Sequence, residues 1–566
     1  MDALFESSDE DSIYGDEFHG FDPTDIVQPR RPIDEIESDI EVSDVSSVES
    51  PSSSDVSDDE PDNDQEWTNN FTNFRTADFR GQTGPRLPDN FDVQTASALD
   101  FFYLLFHPAM FADMARHTNN YARWKATQDQ PDDKWVETNE NEMKAFIGIN
   151  VLMGINALPE LDMYWSSNPL VGNSAIQNIK TCNRFQKLSQ YFHVSDRATE
   201  PPRGSQNYDR LYKVKPVIQH VSETFLMSYD LSQQAAVDEA MIKFTGKLSF
   251  RQYMPAKPIK HGIKIWMLCD SNSAYLSKFE VYLGRNTYNG ENGLGYNVVT
   301  KLTDHLRLTH RHIFFDNFFT SVPLMKQLLD NGLYACGTVR TNRVGFPAEL
   351  KKPNNVKNRG EFKVLQKGDT PLTASVWKDK KHVHHLSTLS QPDKTPLATR
   401  RAGADVLQRR QPHSVSAYNR FMGGVDLHDQ LRMKYDVGRN SKKWWKYLFW
   451  FLLNCSIVNS FIMFKMVSRR INKRKRFNHL DFRLELVRDL IGGYSKRKRS
   501  GIVFDYPGLV DAQNIHGHVN GRLPGPKRRC QYHMKQLNAR RETVYGCTVC
   551  NVHLCKEGCH HRYHNQ

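Results

Sequence analysis

The spacing of apolar residues changes partway along the chain and predicts helices first and strands afterwards. Between about residues 94 and 230, apolar positions recur every three or four residues, as on one face of a helix. From Gln234 onward, shorter apolar runs are typical of strands. The helical segments are Ala96–Phe111, Asn141–Leu152, Ser174–His193 and Lys213–Leu231, and the strand segments are Ala236–Phe244, Ile263–Cys269, Ser277–Leu283, Ile313–Phe315 and Leu333–Val339. The pattern predicts an all-helical region followed by a mixed sheet.

Later segments extend this pattern. A helical stretch, Val322–Leu329, separates the last two strands and predicts a βαβ crossover. Residues 344–412 are polar, with strand-like pieces at Leu372–Trp377 and Val383–Ser387, and we interpret them as an insertion. Helical pattern resumes at Ser416 and continues, with breaks, to about Ile491.

One apolar segment has the length of a membrane span. Trp444–Phe464 is long enough to cross a bilayer, but a lysine, two asparagines and two serines interrupt it. We therefore predict a helix buried in the protein, and no membrane partner.

The charge is distributed very unevenly. Residues 1–66 contain 23 acidic residues against Arg30 and Arg31, so an overall charge of +10 leaves about +31 on the rest of the chain. Because residues 1–90 are also poor in periodic apolar positions, we predict a disordered acidic arm. The acidic start is unlike a signal peptide and argues against secretion. The basic remainder favours nucleic acid as the partner, with an anionic membrane surface as the alternative.

Several acidic residues occupy positions that suggest chemistry. Asp238 shares a strand face with Ala240 and Ile242, and Asp316 follows the run Ile313–Phe315 at the carboxyl end of a strand. Asp426 and Asp429 lie one turn apart on a predicted helix. Converging carboxylates need a cation to offset their repulsion, and Mg²⁺ prefers oxygen ligands. Two such ions would suit nuclease or strand-transfer chemistry.

Cysteine and histidine are concentrated at the end of the chain. Five of the nine cysteines lie in the last 37 residues, in pairs at zinc-ligand spacing. We predict two interleaved structural Zn²⁺ sites, since metal can fold a short polar segment that has no core. One site uses Cys530, His533, Cys555 and Cys559, and the other uses Cys547, Cys550, His564 and either His560 or His561.

Basic residues form two kinds of cluster. Lys465–Arg499 contains 13 lysines and arginines against three acids, a composition that indicates phosphate contacts, nuclear import signals or both. Other cations flank the predicted sheet. The DNA-contact candidates are Lys257, Lys260, Lys264, Arg340, Arg343, Lys473, Arg474, Lys475 and Arg476.

Five separated motifs resemble the piggyBac transposase family in order and spacing, over roughly residues 95–566. These motifs are Val237-Asp238-Glu239, Tyr253–Pro258 with Gly262-Ile263-Lys264, Phe315–Ser321, Gly337–Arg340 and Gly423–Asp426. The resemblance implies an RNase H-like core of the retroviral integrase type. It also implies that Asp238, Asp316 and Asp426 ligate the metal and that Asp429 is an associated fourth acid.

The resemblance also implies a reaction and partners. A cut-and-paste DNA transposase would nick beside TTAA, form a hairpin and join the transposon to another TTAA, using two Mg²⁺ ions, with Mn²⁺ as an alternative. The cysteine-rich end would bind the transposon's terminal inverted repeats, and the enzyme would act in the nucleus as a homodimer. The rival hypotheses are a domesticated protein that binds DNA or chromatin without catalysis, and a general nuclease whose zinc module binds proteins.

These predictions describe a multidomain α/β protein in which some domains are built from non-contiguous segments. The segments are an acidic arm (1–90), a helical dimerisation and DNA-binding domain (91–233 and 436–499), an RNase H-like core (234–343 and 413–435), an insertion (344–412), a linker (500–527) and a cysteine-rich zinc domain (528–566).

Overall fold

The structure is a computed structural model that describes eleven stretches of the chain. They are residues 66–79, 81–128, 131–255, 257–284, 292–354, 356–402, 405–470, 477–495, 520–548, 550–555 and 559–564. The acidic sequence before residue 66, the basic cluster Lys473–Arg476 and most of the predicted linker lie outside these residues. The chain divides into two compact units, with the boundary after Lys498, and each unit is described by itself.

The first unit contains thirteen described α-helices. They are α1 (Ala98–Leu105), α2 (Ala109–Gln128), α3 (Glu140–Ile155), α4 (Ser174–Ile179), α5 (Cys182–Tyr191), α6 (Lys215–Met227), α7 (Gly293–Thr303), α8 (Val322–Asp330), α9 (Ala348–Lys351), α10 (His413–Phe421), α11 (Gly424–Met433), α12 (Trp444–Arg470) and α13 (His479–Ile491). Short 3₁₀ helices cover Asp162–Trp165, Arg197–Thr199, Tyr212–Val214 and Asp304–Leu306.

The same unit contains fourteen described strands. They are β1 (Trp67–Thr68), β2 (Gly84–Pro85), β3 (Tyr229–Asp230), β4 (Gln234–Lys243), β5 (Gln252–Tyr253), β6 (His261–Asp270), β7 (Leu276–Val281), β8 (His312–Phe315), β9 (Tyr334–Thr338), β10 (Phe362–Lys367), β11 (Thr373–Lys378), β12 (His382–Ser387), β13 (Leu397–Ala402) and β14 (Asp405–Arg410).

Ten of these strands form one mixed sheet. Its order is β1-β10-β11-β12-β9-β8-β4-β6-β5, and β7 also pairs with β6. The neighbours β4, β8 and β9 are parallel, and the other pairs are antiparallel. Helix α8 connects β8 to β9, as a parallel crossover requires. The predicted βαβ unit is therefore present in the sheet.

Residues 344–412, which we interpreted as an insertion, contribute to this same sheet. Strands β10, β11 and β12 continue it, because β12 pairs with β9. Strands β13 and β14 form a separate hairpin. The sequence had indicated β11 and β12, whereas the more polar β10 was missed.

Helix α12 is the apolar segment that could have been a membrane span. By length and composition Trp444–Ser468 qualifies, yet 94% of its apolar window is buried inside the protein. Its polar side chains bond within the unit: Asn459 donates to the carbonyl of Leu276 at 2.8 Å, and Asn454 donates to that of Arg432 at 3.0 Å. The interpretation as a buried core helix agrees with this packing.

Two long predicted helices are each divided in the structure. Ala96–Phe111 becomes α1 and α2, separated at His107 and Pro108, because proline cannot donate to the preceding turn. Ser174–His193 becomes α4 and α5, because the Thr181 hydroxyl accepts from the Arg184 N–H and starts a new helix. Apolar spacing continued through both breaks and concealed them.

The predicted acidic arm extended too far. Residues 66–79 and 81–90 are ordered: β1 pairs with β10, and β2 pairs with β3. Farther along this strap, defined as residues 66–79, the Ala77 N–H donates to the Tyr334 hydroxyl at 2.8 Å. Backbone and single polar contacts hold the strap to the sheet. Amino-acid composition does not reveal such contacts. The prediction of disorder was therefore wrong for residues 66–79 and 81–90.

The second unit is small. Its described elements are β15 (Asn520–Arg522), β16 (Arg528–Arg529), α14 (Gln531–Gln536), β17 (Glu542–Thr543), β18 (Tyr545–Cys547), β19 (Val552–His553) and α15 (Cys559–His564). Its main buried cluster consists of Leu554 and four cysteines, Cys530, Cys547, Cys555 and Cys559. Apolar side chains alone make a very small core here.

Candidate catalytic and metal-binding sites

Asp238 lies in the middle of the sheet, on the long strand β4. Met267 of β6 lies opposite it in the antiparallel ladder, and β8 runs parallel on the other side. Asp238 is only 9% exposed, and its Oδ1 accepts from the Glu239 N–H at 2.8 Å. A carboxyl group is thus embedded where the sheet is otherwise apolar.

Asp316 is positioned by the turn that follows β8. Val237 pairs with Phe315 across the parallel ladder, so Asp238, within β4, lies level with Asp316, which directly follows the last residue of β8. The Asp316 Oδ1 accepts from the Phe318 N–H at 2.9 Å, which orients the half-buried carboxyl group. The predictions that Asp238 lies on a strand face and Asp316 at the carboxyl end of a strand agree with this geometry.

Asp426 comes from the first turn of α11, which packs against β4 and β6. Gly424 permits this approach, because a Cβ atom there would lie 3.1 Å from the Asp270 carbonyl oxygen. The side chain of Asp426 is exposed. The acidic site formed by Asp238, Asp316 and Asp426 is therefore buried at Asp238 and open at Asp426.

Each carboxyl group of the acidic site has a raised pKa. Burial, followed by the charges of Glu239, Asp316 and Asp426, raises the pKa of Asp238 well above its usual range. Burial and then Glu239 raise the pKa of Asp316 to about 6. Although Asp426 is exposed at one side, desolvation by surrounding atoms, then the charges of Asp429 and Glu239, raises its pKa. The three groups repel one another when ionised.

This arrangement fits a divalent cation. Among the described residues, none forms an ion pair with Asp238, Asp316 or Asp426. Carboxylate oxygens are hard ligands, and a cation between them would offset both the burial and the repulsion that raise their pKa values. The donor set thus suits Mg²⁺ or Mn²⁺.

Glu239 was not identified from the sequence as a site residue. Its carboxylate lies 3.0 Å from the Lys257 Nζ and 3.8 Å from the Lys264 Nζ. Because side chains alternate along a strand, Glu239 is expected on the opposite face from Asp238. Lys264 lies near Glu239 only because of the register in which β6 pairs with β4, and the sequence does not reveal that register. Burial lowers the pKa of Lys257, but the charges of Asp238, Glu239 and Asp426 and the hydrogen bond to Glu239 outweigh burial and raise it.

Lys264 differs from its prediction as a DNA contact. It is 8% exposed, and its ammonium lies 3.8 Å from the centre of the Trp266 ring. A buried ammonium held by Glu239 and an indole cannot bind a phosphate at the surface without leaving both. The prediction for Lys264 is therefore corrected: it is an inward-facing lysine on β6, and its neighbours Ile263 and Ile265 are also buried.

The other basic candidates have different surroundings. Lys260 and Arg340 are exposed. The Arg340 Nε donates to the Asn317 Oδ1 at 3.1 Å, and Arg343 NH2 donates to the carbonyls of Asn317 and Phe318 at 3.1 and 2.6 Å. Both arginines hold the turn that carries Asp316. The exposed cations of Lys260 and Arg340 are free of the burial that rules out Lys264, and their role as DNA contacts stays a prediction.

Tyr418 of α10 is a second residue that the sequence did not single out. It is 9% exposed and its ring meets that of His385 edge to face at 5.3 Å. Burial, then the charge of Asp316, raises the pKa of its hydroxyl. No spacing rule identifies such a residue, because its proximity to Asp316 depends on how α10 packs on the sheet.

In the second unit, four predicted ligands come together. The ligand atoms of Cys530, His533, Cys555 and Cys559 all lie within 4.8 Å of one another. The His533 Nδ1 is 3.3 Å from the sulfurs of Cys530 and Cys559. Hydrogen bonds from His533 and Cys555 outweigh desolvation and lower the pKa of Cys530 to about 6. This favours the thiolate, which is the form that binds metal.

A second group contains Cys547, Cys550 and His564, with ligand atoms again within 4.8 Å of one another. The rings of His560 and His564 are 4.8 Å apart. The side chain of His561 lies outside the described part of the chain. The geometry thus reproduces the predicted division of ligands, with His560 beside the second group.

Comparisons with known proteins agree over most of the chain. A family model described as Transposase IS4 matches residues 97–461. The human piggyBac transposable element-derived protein 3 is 26% identical over 496 residues, which cover 83% of this chain and 78% of that protein. The human piggyBac transposable element-derived protein 5 is 26% identical over 413 residues, which cover 70% and 76%.

A solved structure is also similar. It is the piggyBac transposase in a synaptic complex with hairpin DNA, with a TM-score of 0.64 and 25% sequence identity. The similarity covers 84% of this chain and 98% of that one. The two proteins share a fold, including the mixed sheet with surrounding helices.

Proposed function

Because the chain belongs to the transposase IS4 family, of the piggyBac type, we propose that it is a cut-and-paste DNA transposase. Its steps are nicking beside TTAA, hairpin formation on the opposite strand, and joining to a new TTAA. The observation that carries the proposal is the acidic site: Asp238 on β4 lies level with Asp316, directly after the adjacent parallel strand β8, and Asp426 lies in the first turn of the helix packed against β4 and β6, with no ion pair to any of the three among the described residues.

The proposed catalytic core is RNase H-like. In support, β4 lies between the antiparallel pair β6 and β7 and the parallel strands β8 and β9. The first two acids lie on β4 and directly after β8, and α11 adds the third. This arrangement supports a single phosphoryl-transfer site.

Asp238, Asp316 and Asp426 would hold two Mg²⁺ ions, with Mn²⁺ as an alternative. When bound, the ions stabilise the attacking and leaving oxygens of an in-line phosphoryl transfer. The chain's own residues orient the DNA: the open side at Asp426 admits a phosphodiester, and Lys257 offers a cation at the rim, with 33% of its side chain exposed. A water and then a 3′ hydroxyl would attack in turn.

The second unit is proposed to hold two structural Zn²⁺ ions and to bind terminal inverted repeats. Cys530, His533, Cys555 and Cys559 form the first ligand set. For the second set, Cys547, Cys550 and His564 supply three ligands, and either His560 or His561 is the fourth. Complete sets of four ligands leave no open position and suit a structural role.

We also propose that the protein acts in the nucleus as a homodimer. Two transposon ends must be processed together, which favours two active sites. The basic sequence between Lys465 and Arg499 supports nuclear import and DNA binding.

One alternative has specific support. The human relatives are named as transposable element-derived proteins, which favours a domesticated protein that binds DNA or chromatin without cutting it. Retention of Asp238, Asp316 and Asp426 argues for the active enzyme.

A plasmid excision assay separates these two functions. The donor carries candidate transposon ends flanked by TTAA, and the intact protein is compared with Asp316→Asn in Mg²⁺. The matched control is Asp330→Asn, which removes an exposed acid at the end of α8. We expect scarless excision by the intact protein and the control, and none by Asp316→Asn. Specific binding of the ends without excision by any of them would support the domesticated alternative.

A further inference from the structure

Asp429 has an ion-pair partner, which Asp238, Asp316 and Asp426 lack among the described residues. The Arg432 Nε donates to the Asp429 Oδ1 at 3.1 Å, and the Arg432 NH2 lies 3.1 Å from the same oxygen. The two residues are one turn apart on α11. The only acid of the predicted set with an ion pair among the described residues is therefore Asp429.

Arg432 is itself confined. Its side chain is 6% exposed, and its guanidinium lies 4.6 Å from the centre of the Phe451 ring on α12. If Asp429 turned away to bind a metal ion, it would leave a buried guanidinium without its nearest carboxylate. Breaking a buried pair in this way is strongly unfavourable.

The backbone of α11 at Arg432 is also joined to two further helices. The Asn454 Nδ2 on α12 donates to the Arg432 carbonyl at 3.0 Å, and the Arg483 NH2 on α13 donates to the Asn454 Oδ1 at 2.5 Å. The Arg483 Nε in turn donates to the His479 Nε2 at 2.9 Å. These contacts fix α11 relative to α12 and α13.

We propose that Asp429 is not a metal ligand but a positioning residue, locked by Arg432, and that this pair holds α11 so that Asp426 faces Asp238 and Asp316. The proposal rests on the proposed transposase function and changes the role assigned to the fourth acid. Asp429 acts on the reaction through the orientation of Asp426, and Arg432 shares that role.

Metal binding and DNA nicking, measured on the zinc-loaded full-length protein, test the proposal. The variants are Asp426→Asn, Asp429→Asn, Arg432→Met and the double variant Asp429→Asn with Arg432→Met. A matched control removes an exposed pair of the same spacing on α2, by Asp113→Asn and Arg116→Met. Mn²⁺ affinity is measured by electron paramagnetic resonance, and single-turnover nicking is measured on a duplex containing TTAA.

The expected results separate ligand from positioning residue. Asp426→Asn should weaken Mn²⁺ binding about tenfold or more, whereas Asp429→Asn and Arg432→Met should change it less than about threefold. Both of the latter should slow nicking by about 10- to 100-fold. The double variant should be no slower than the slower single variant, because both residues act as one unit. Arg432→Lys should recover part of the rate.

Several outcomes would overturn the proposal. One is a loss of Mn²⁺ affinity in Asp429→Asn as large as that in Asp426→Asn, and another is normal nicking by Arg432→Met. If Arg432→Met does not fold, the double variant, which removes both charges of the pair, is compared with Asp429→Asn. A further loss of rate in the double variant contradicts the proposal. Absence of nicking by the intact protein would instead contradict the proposed function, and the Mn²⁺ affinities would still decide the role of Asp429.

Discussion

The acidic site and the cysteine-rich unit both gather metal-binding side chains, but different forces hold them in place. The acidic site rests on a sheet whose residues Ile265, Trp266 and Phe315 belong to a large apolar core. In the cysteine-rich unit, by contrast, four of the five residues of the main buried cluster are candidate ligands themselves.

This difference assigns two thermodynamic roles to metal. In the first unit, hydrophobic burial stabilises the sheet, and the acids are brought together against their own repulsion. In the second unit, metal must contribute much of the folding free energy, because there is little else to bury. Metal should therefore be needed for the chemistry of one unit and for the fold of the other.

The largest expected effect is that of zinc removal on residues 520–566. We expect a strong chelator, or Cys530→Ala, to unfold this unit, since structural zinc in small domains contributes about 10 kcal/mol. Limited proteolysis with mass spectrometry should show cleavage within these residues while the larger unit stays intact. Cys182→Ala, which removes a half-buried cysteine outside both ligand groups, is the control. If the metal-free unit resisted the protease, zinc would not be needed for its fold, and the proposed difference between the two metal sites would be wrong.

A smaller effect is expected when Mg²⁺ binds the acidic site. At a hundred times its Kd, a ligand stabilises the native state by about 2.7 kcal/mol, so Mg²⁺ should raise the Tm of the larger unit. Asp316→Asn should abolish this increase and leave the unit folded, because it removes charge and keeps shape. Differential scanning calorimetry with and without Mg²⁺ measures both effects. An unfolded Asp316→Asn variant would show that this acid is structural.

The smallest effect is a dependence of metal-free stability on pH. The pKa of Asp316 is about 6 in the folded state, against 3.8 for the ordinary group. Between these values the folded state binds a proton that the unfolded state does not, so stability should rise as pH falls through 6. We expect a gain of about 1 kcal/mol between pH 7 and pH 5. Urea unfolding of the larger unit should show this gain. The gain should be smaller in Asp316→Asn, in which only Asp238 and Asp426 remain to bind protons; an identical slope in both proteins would refute the assignment.

Much of the acidic site could be predicted from local sequence. Asp238 and Asp316 lie at strand positions whose role follows from parallel pairing of β4 and β8, and short-range periodicity reveals both strands. The side-chain contacts around these acids could not be predicted from local sequence. Lys264 faces inward onto the Trp266 ring and pairs with Glu239. Both contacts depend on the register in which β6 pairs with β4.

The ends of the helices and strands were also difficult to predict from local sequence. Pro108 divides a continuous apolar pattern into α1 and α2, and Thr181 starts α5 through one hydrogen bond. The strap of residues 66–79 is held by contacts with residues nearly 300 positions away, such as the pairing of Trp67 with Lys367. Local pattern predicts which segments form, whereas long-range pairing decides where they end.

Mg²⁺-dependent nicking and zinc content, determined together on one preparation of the full-length protein, test the central claim most directly. Mg²⁺ is removed by dialysis without a strong chelator, zinc is quantified by atomic emission, and a labelled duplex carrying TTAA next to candidate ends is the substrate. We expect nicking only when Mg²⁺ is restored, none by Asp316→Asn, and about two zinc ions per chain throughout. Nicking that persists without Mg²⁺, or that Asp316→Asn retains, would contradict that claim.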